Sequence, residues 1–578
     1  MTLIRLTGAQ ALLRCLRAED VRDFFGVVGG KLAPLLQALS VEPAMRFHGV
    51  RHEAAGPLMA AAVHAGTGRV AVALGEMGPG ALNLAAGLGT GFNNNLPLLA
   101  ITTNQHRAAS YPHKGMFMDM DTHAVLRPLV KWNAVVHDGR RLPELARRAF
   151  REALTGRPGP VHLDIPQDVL AATWDFAPTE FDLAPARYRP LRGARPHADD
   201  VREAAALLRG ARRPVIIAGG GAVAAGAIEA IRALAALLDA PLVATQMALG
   251  AAATGSRHHV GHGGLIGGEA LVAACREADV AIAFGCRFSS WMWSADGPFV
   301  DRRQALVNVN TDAAALGEPV AHAVAMQADA RLAALDLLAE LHADAPPARD
   351  PAWLDGLRAR FDASRAHLAT LADDTAAPMH PAALARAVGD ALPADALAVF
   401  DGGHTSFWSN DLTPVSAPRT RFHEPGMSLL GFGLPYAIAL QLAHPGRPVF
   451  NLTGDGAFGF TIQELDTARR LRTPVVTVIH DNASWGVIRA GQQRLGFELG
   501  TALEETDYAA IARGFGCHGE TVTTPAQVAP ALARALASGL PSVIDCKVRF
   551  EPHPTMPAFG SMNRYGFEAL ARAGSSTA

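Results

Sequence analysis

Short runs of β-branched and leucine residues alternate with longer Ala/Leu/Arg stretches along the whole chain. The clearest runs are Val70–Leu74, Leu98–Thr102, Val161–Ile165, Val215–Ala218, Val280–Phe284, Val475–Ile479 and Val543–Cys546, most of them bounded by Gly or Pro. Continuous apolar runs of this length predict strands buried on both faces, and the stretches between them predict crossover helices. The expected fold class is α/β, with doubly wound parallel sheets.

Two polar, Pro-rich stretches interrupt the alternation: Tyr188–Asp200 (YRPLRGARPHADD) and Ala343–Pro351 (ADAPPARDP). They set the expected boundaries: a first domain at 1–187, a middle domain at 196–342, a linker at 343–375, a third domain at 376–550 and a tail at 551–578. The first and third domains share a layout. In the first, RVAVAL runs into the turn GPG and is followed by LPLLAIT and GPVHLDIP. In the third, RPVFNLT runs into GDG and is followed by TPVVTVI and LPSVIDCKV. The three segments begin near residues 70, 97 and 160 in one and 449, 474 and 541 in the other. Matched spacing predicts two related units flanking the middle domain.

Composition narrows the function classes. The 578 residues are 49% apolar and 18% charged, with a net charge of −2 and no long run of one sign. Nothing here tracks a phosphate backbone or an anionic membrane, so no nucleic-acid partner is expected. The five cysteines are scattered and never form a C-x-x-C pair, which fits a reducing compartment better than a disulfide framework. The first twenty residues hold several arginines and no apolar core, predicting no signal peptide. The apolar stretches Val215–Ile228 and Leu429–Leu440 fall short of a membrane span, so a cytoplasmic location is expected.

The sharpest chemical signal lies in the third domain. A predicted strand ends in Gly454-Asp455-Gly456-Ala457-Phe458, and the next ends in His480-Asp481-Asn482-Ala483-Ser484. One α/β crossover separates Asp455 from Asn482, so both belong at the C-terminal ends of parallel strands, where such sheets bind ligands. A carboxylate and an amide oxygen there suit Mg²⁺. The Gly-rich turn leaves backbone N–H groups free to face a diphosphate. Taken alone, GDG is equally an ordinary Asp-Gly turn.

GDG followed by Asn at this spacing resembles the thiamin-diphosphate (ThDP) motif of the 2-oxo-acid decarboxylase and acetohydroxyacid (acetolactate) synthase superfamily. FFGVVGG, RHEAAG, RPLVKW, TGRPGPVHLDIPQDV, RRPVIIAGGG, FGCRF and LLGFGLPYAIA also fall in that family's order. The resemblance covers nearly the whole chain. It implies a pyrimidine-binding domain, a middle Rossmann-like domain, a diphosphate-binding domain and a C-terminal lid.

Family residues carry over onto matching positions. The resemblance implies Asp455, Asn482 and the Ser484 carbonyl as metal ligands, with Gly454, Gly456 and Ala457 near the diphosphate. His404 and Thr405, in DGGHTSFW, match a loop that also touches it. Glu53, in RHEAAG, matches the carboxylate at N1′ of the aminopyrimidine, where sharing a proton favours deprotonation of thiazolium C2. Outside that context, Glu53 reads as a carboxylate in the first turn of a helix. Leu430 matches the residue that bends the cofactor, and the Ser428 carbonyl would accept from its 4′-amino group. In this superfamily the cofactor lies between subunits, so the resemblance implies a homodimer or homotetramer.

The middle domain carries Gly219-Gly220-Gly221-Ala222-Val223-Ala224 after a strand, a loose dinucleotide motif. Asp239 precedes the following strand rather than ending it, which disfavours NAD. Relatives place FAD or an adenine nucleotide here, so the resemblance leaves FAD or ADP open. His258, His259 and His262 lie in a Gly-rich loop without a nearby carboxylate or cysteine, which disfavours a metal.

The sequence departs from acetohydroxyacid synthases where the substrate is read. Phe117 matches a family Phe, but Met118 stands where a Gln faces the substrate. The family's FDDR reads Phe288-Ser289-Ser290-Trp291, and its Trp is Gly491. Loss of a guanidinium removes the bidentate carboxylate partner. The expected pocket, Val28, Gly29, Lys31, Phe117, Met118, Trp291, Trp485 and Val487, is mostly apolar, with Lys31 and Arg489 the nearest cations.

Two activities stay open. One is an acetolactate-synthase-like enzyme that decarboxylates a 2-oxo acid and ligates the acyl unit to a carbonyl acceptor. The other is a lyase acting on a 2-hydroxyketone or 2-hydroxyacyl-CoA, since DGGHT and NASWG resemble benzaldehyde lyase and 2-hydroxyacyl-CoA lyases. A ThDP sensor without turnover would not need Glu53. The tail EPHPTMPAFGSMNRYGF, rich in Pro, Met and aromatics, is expected to close over the site.

Overall fold

Each of the short runs from Val70–Leu74 to Val543–Cys546 holds a strand of one of three six-stranded parallel sheets, in a computed structural model that describes residues 2–110, 114–293, 304–342 and 349–556. The chain divides into two compact units: Met1–Arg192 with Gly426–Gly446 and Thr461–Thr473, and the remainder.

The first unit contains one of these sheets, ordered Arg46–Gly49, Asp23–Gly26, Val72–Gly75, Leu99–Asn104, Val161–Pro166, Trp132–Val135. Strands Val72–Gly75, Leu99–Asn104 and Val161–Pro166 are buried throughout, as expected of a parallel sheet covered on both faces. Helix Gly8–Ala18, opened by a capping box between Thr7 and Gln10, packs its Leu12 and Leu16 into one core with Phe24. Helix Ala55–Thr67 is built largely from small residues and lies against helix Gly433–Ala443. A Cβ at Gly66 would stand 2.7 Å from Leu440, so the glycine sets how closely the two helices approach.

The second unit contains two sheets. The middle one runs His259–His262, Leu242–Ala244, Pro214–Ala218, Val280–Phe284, Ala305–Asn310, Val324–Gln327, which is the 3-2-1-4-5-6 order of a Rossmann fold. The other runs Arg421–Phe422, Leu397–Phe400, Val449–Gly454, Val476–Asp481, Ser542–Lys547, His518–Val522. Counted along the chain, this order is 2-1-3-4-6-5, the same as in the first unit. The repeat predicted from strand spacing is therefore present as topology.

Two local expectations are corrected. The span 343–375 is not simply a linker, because Ala352–Ala372 is a helix of 21 residues. Its Trp353 donates to the Pro214 carbonyl at 2.9 Å, and its Leu368 and Ala372 pack with Trp408. Residues 343–348 lie outside the described residues. His259–His262 is not a loop but an edge strand beside Leu242–Ala244. Burial pushes His259 down to about 2, and His262 donates or accepts through Nε2 at 2.8 Å from the Asn410 carbonyl. No cluster of three or more His, Cys, Asp or Glu side chains fit for a metal occurs among the described residues. The expected lid falls mostly on 557–578, outside the described residues, although Met556 is buried with Trp291 and Phe407.

The glycine run of the middle sheet has a packing role. A Cβ on Gly219 would meet the Gly285 carbonyl oxygen at 2.2 Å and the Cys286 Cα at 2.7 Å, both of them backbone. Gly219→Ala is expected to cost about 1–3 kcal/mol in a denaturant titration. Gly210→Ala, where nothing lies within 4 Å, should be neutral or slightly stabilising. Equal stability of the two variants would contradict this packing role.

Candidate active site

In the second unit, Asp455 opens the short helix Asp455–Gly459 directly after strand Val449–Gly454. Its carboxylate is only 4% exposed. Oδ1 accepts from the Gly456 N–H at 2.8 Å, and Oδ2 accepts from the Ser484 N–H at 3.1 Å. Ser484 Oγ in turn donates to Asn482 Oδ1 at 2.9 Å. Asp455, Asn482 and Ser484 are thus brought together at the C-terminal edge of two adjacent strands. Ala483 adopts a left-handed conformation with φ of 49° between Asn482 and Ser484, turning the chain back toward Asp455.

Three carboxylates, Asp455, Asp481 and Asp545, gather at this edge. Lys547 pairs with both Asp481 and Asp545, while Asp455 has no cationic partner among the described residues. Burial and the adjacent Asp481 push Asp455 up to about 7, and burial raises Asp545 to about 6. A hard divalent ion ligated by oxygen would relieve that burial cost. Lys547 and Asp545 were not singled out in the sequence, because neither belongs to a recognisable motif.

His404 and Thr405 begin helix His404–Leu412 and are both buried. Burial holds His404 down to about 3, so the ring is neutral, and both ring nitrogens lack a hydrogen-bond partner among the described residues. A Cβ on Gly486 would stand 2.8 Å from His404 Nδ1 and 3.4 Å from Asn482 Nδ2. A Cβ on Gly454 would reach Thr405 Oγ1 at 3.2 Å, and one on Gly456 would strike the Trp485 ring at 2.5 Å. Ala457 is buried beside them. A buried neutral imidazole, next to glycines that carry no side chain and an oxygen donor set, fits a metal-bound diphosphate.

The first unit holds Glu53. It lies in the turn before helix Ala55–Thr67, whose N-cap is Ala54, and not in the helix's first turn. Its Oε2 accepts from Asn83 Nδ2 at 2.9 Å, and a Cβ on Gly80 would stand 3.2 Å from Oε1. Gly80 thereby leaves one carboxylate oxygen approachable. Leu430 is half-buried and Ser428 is exposed in the turn before helix Gly433–Ala443, with Ser428 at φ of 52°.

The expected pocket residues divide between the units. Val28, Gly29, Lys31, Phe117 and Met118 belong to the first. The Glu76 carboxylate accepts from the Lys31 and Leu32 N–H groups, and a Cβ on Gly29 would overlap it at 2.1 Å. Val28 and Phe117 are strongly exposed, and the left-handed Met118 (φ 64°) packs on Gly78. Trp291, Trp485 and Val487 belong to the second. Trp291 donates Nε1–H to the Pro425 carbonyl at 3.1 Å and shares an apolar cluster with Leu265, Ile266, Phe407 and Val487. Val487 also packs on Gly403, beside His404. Arg489 is engaged with Glu498 at 3.1 Å and lies over the Phe550 ring.

Family comparisons agree with this architecture. Profiles described as thiamine pyrophosphate enzyme match in three parts: the N-terminal TPP binding domain over 6–125, the central domain over 201–339 and the C-terminal TPP binding domain over 401–546. The three parallel sheets and these matches define a thiamin-diphosphate-dependent enzyme. The chain is 32% identical over 557 residues to the acetolactate synthase large subunit of Parasynechococcus marenigrum, covering 94% of this chain and 88% of the relative. It is 31% identical over 554 residues to that of Corynebacterium glutamicum (94% and 86%). Against acetolactate synthase isozyme 2 large subunit of Escherichia coli it is 29% identical over 549 residues (94% and 96%). The chain belongs to the 2-oxo-acid decarboxylase and acetohydroxyacid synthase superfamily and is acetolactate-synthase-like within it.

Proposed function

We propose that the protein decarboxylates a 2-oxo acid with ThDP and Mg²⁺ and transfers the acyl unit to a carbonyl acceptor. The hydrogen-bonded cluster of Asp455, Asn482 and Ser484 at the strand ends carries this reading. Asp455, Asn482 Oδ1 and the Ser484 carbonyl would hold the metal, and His404, Thr405 and the Gly454–Ala457 backbone would hold the diphosphate. When bound, ThDP supplies the electron sink for breaking or forming a bond next to a carbonyl carbon. Glu53 holds and returns the proton at N1′, and Asn83 fixes the orientation of its carboxylate. Leu430 and the Ser428 carbonyl would orient the aminopyrimidine. Gly219 and Gly221 pack on Gly285 and so carry no argument for a nucleotide; the proposed set is ThDP and Mg²⁺, with FAD or ADP left open in the middle domain. The resemblance to a superfamily in which the cofactor lies between subunits supports a homodimer or homotetramer in which protomers share cofactor sites. No helix among the described residues is long and apolar enough to cross a membrane, in keeping with a small-molecule enzyme acting in the cytoplasm.

The substrate is proposed to be bulkier and less polar than pyruvate. Trp291, which the resemblance aligns with the family's Arg, sits in an apolar cluster, and Arg489 is already paired. A charged hydrogen bond contributes about 1.5–3 kcal/mol, roughly 10- to 150-fold in discrimination. Acetolactate formation at saturating pyruvate should therefore be slow beside turnover of an aromatic or branched 2-oxo acid. Lys31→Ala and Arg489→Ala should leave the ratio unchanged. Faster acetolactate formation than turnover of every bulkier donor would contradict the apolar-pocket reading. The same apolar cluster favours a second reading, cleavage of a 2-hydroxyketone or 2-hydroxyacyl-CoA. Rapid splitting of benzoin or a 2-hydroxyacyl-CoA, without decarboxylation of any 2-oxo acid, would select it.

A further inference from the structure

Glu464 is the first residue of helix Glu464–Leu471 and is fully buried. Its carboxylate accepts from the Arg51 N–H at 3.2 Å and the His52 N–H at 3.1 Å, the two residues immediately before Glu53. Thr467 Oγ1 donates to Glu464 Oε2 at 2.6 Å. Arg470, one turn further along, donates to the Gly49 carbonyl at 2.8 Å. The same turn is closed on its other side by the Ala55 N–H on the His52 carbonyl at 3.0 Å and the Gly56 N–H on the Glu53 carbonyl at 2.9 Å. All these residues belong to the first unit.

A buried carboxylate normally has a cationic partner, because removing its charge from water is costly. Glu464 makes no ion pair among the described residues, and burial raises its affinity for a proton. Backbone N–H groups of a single turn are its principal partners. A packing role alone would be served by an apolar side chain at lower cost, whereas two N–H groups aimed at one carboxylate fix the path of the turn.

We propose that Glu464 is a positioning residue for Glu53: its carboxylate clamps the Arg51–Glu53 turn and so holds the Glu53 carboxylate where it exchanges a proton with the cofactor. This rests on the proton-holding role given to Glu53 above. Asn83 orients the Glu53 side chain and Glu464 places its backbone, so each supplies what the other cannot.

The test is a double-mutant cycle read by hydrogen–deuterium exchange at C2 of bound ThDP. Glu464→Gln keeps the side-chain length but puts a neutral amide oxygen in place of the anionic Oε1 on which the Arg51 and His52 N–H groups converge. It should slow C2 exchange about 10- to 100-fold. In a Glu53→Gln background the further slowing should be less than about twofold, because a residue acting only through Glu53 has nothing left to position. ThDP affinity should hold within about threefold, and the Arg51 and His52 amides should exchange at least about tenfold faster. Equal slowing in both backgrounds, or unchanged amide exchange, would overturn the proposal. If Glu464→Gln does not fold, Thr467→Val removes the 2.6 Å hydroxyl bond to Glu464, together with the 3.2 Å bond that Arg470 donates to the same hydroxyl oxygen, and is read against the same two outcomes. If wild-type C2 exchange proves independent of Glu53, the assignment of Glu53 fails, while the amide readout still decides whether the clamp exists.

Discussion

Asp455→Ala is expected to fold yet lose tightly bound ThDP, with affinity falling at least about 100-fold, more than the loss of an outer-shell partner brings. The carboxylate is the only charged member of the Asp455, Asn482 and Ser484 set, and without it the diphosphate has no anionic anchor for a bridging cation. The substitution also strips the Gly456 and Ser484 N–H groups of their acceptor, at about 1–3 kcal/mol for each group left unpaired. Asp455→Asn retains one acceptor oxygen and separates the two effects, since it should be the more stable variant and bind ThDP almost as poorly. Titration of each protein with ThDP, with Mg²⁺ and then with EDTA, checks this. Undiminished binding in both variants, insensitive to EDTA, would remove the metal assignment.

Glu53→Gln should bind ThDP normally and slow C2 deprotonation by about 10²- to 10⁴-fold. The amide matches the carboxylate in shape, and Asn83 can still hold it by a hydrogen bond, so neither fold nor binding should suffer. It cannot hold a proton for N1′. Nuclear magnetic resonance of C2 exchange reads the step without any substrate, and wild-type exchange in the variant would place the base elsewhere.

Much of this architecture is legible in the sequence because buried parallel strands advertise themselves as unbroken apolar runs. Val280–Phe284 appears as a strand with the predicted bounds, and Val161–Ile165 differs only by the addition of Pro166. The strand ends at Asp455 and Asn482 follow from the crossover spacing. Helix Ala352–Ala372 was obscured because its apolar residues cluster at its two ends, Trp353, Leu354 and Leu357 against Leu368 and Ala372, and so contribute to different cores. His259–His262 hid as a loop because two glycines at positive φ, Gly261 and Gly263, disguise an edge strand.

Glu464 was invisible for another reason. It sits more than 400 residues from the turn it holds, and its partners there are backbone N–H groups, which leave no signature in side-chain identity. The pocket list was legible only as a set of residue types. Which of them share a unit, Val487 with Trp291 but not with Phe117, depends on how the chain returns on itself at 426–446 and 461–473.

The most direct test of the reading is release of label from carboxyl-labelled 2-oxo acids by the purified full-length protein. Release should occur with at least one aromatic or branched 2-oxo acid, require added ThDP and Mg²⁺ together, and stop with EDTA. No release from any 2-oxo acid, or release that persists without ThDP or in the presence of EDTA, would contradict it.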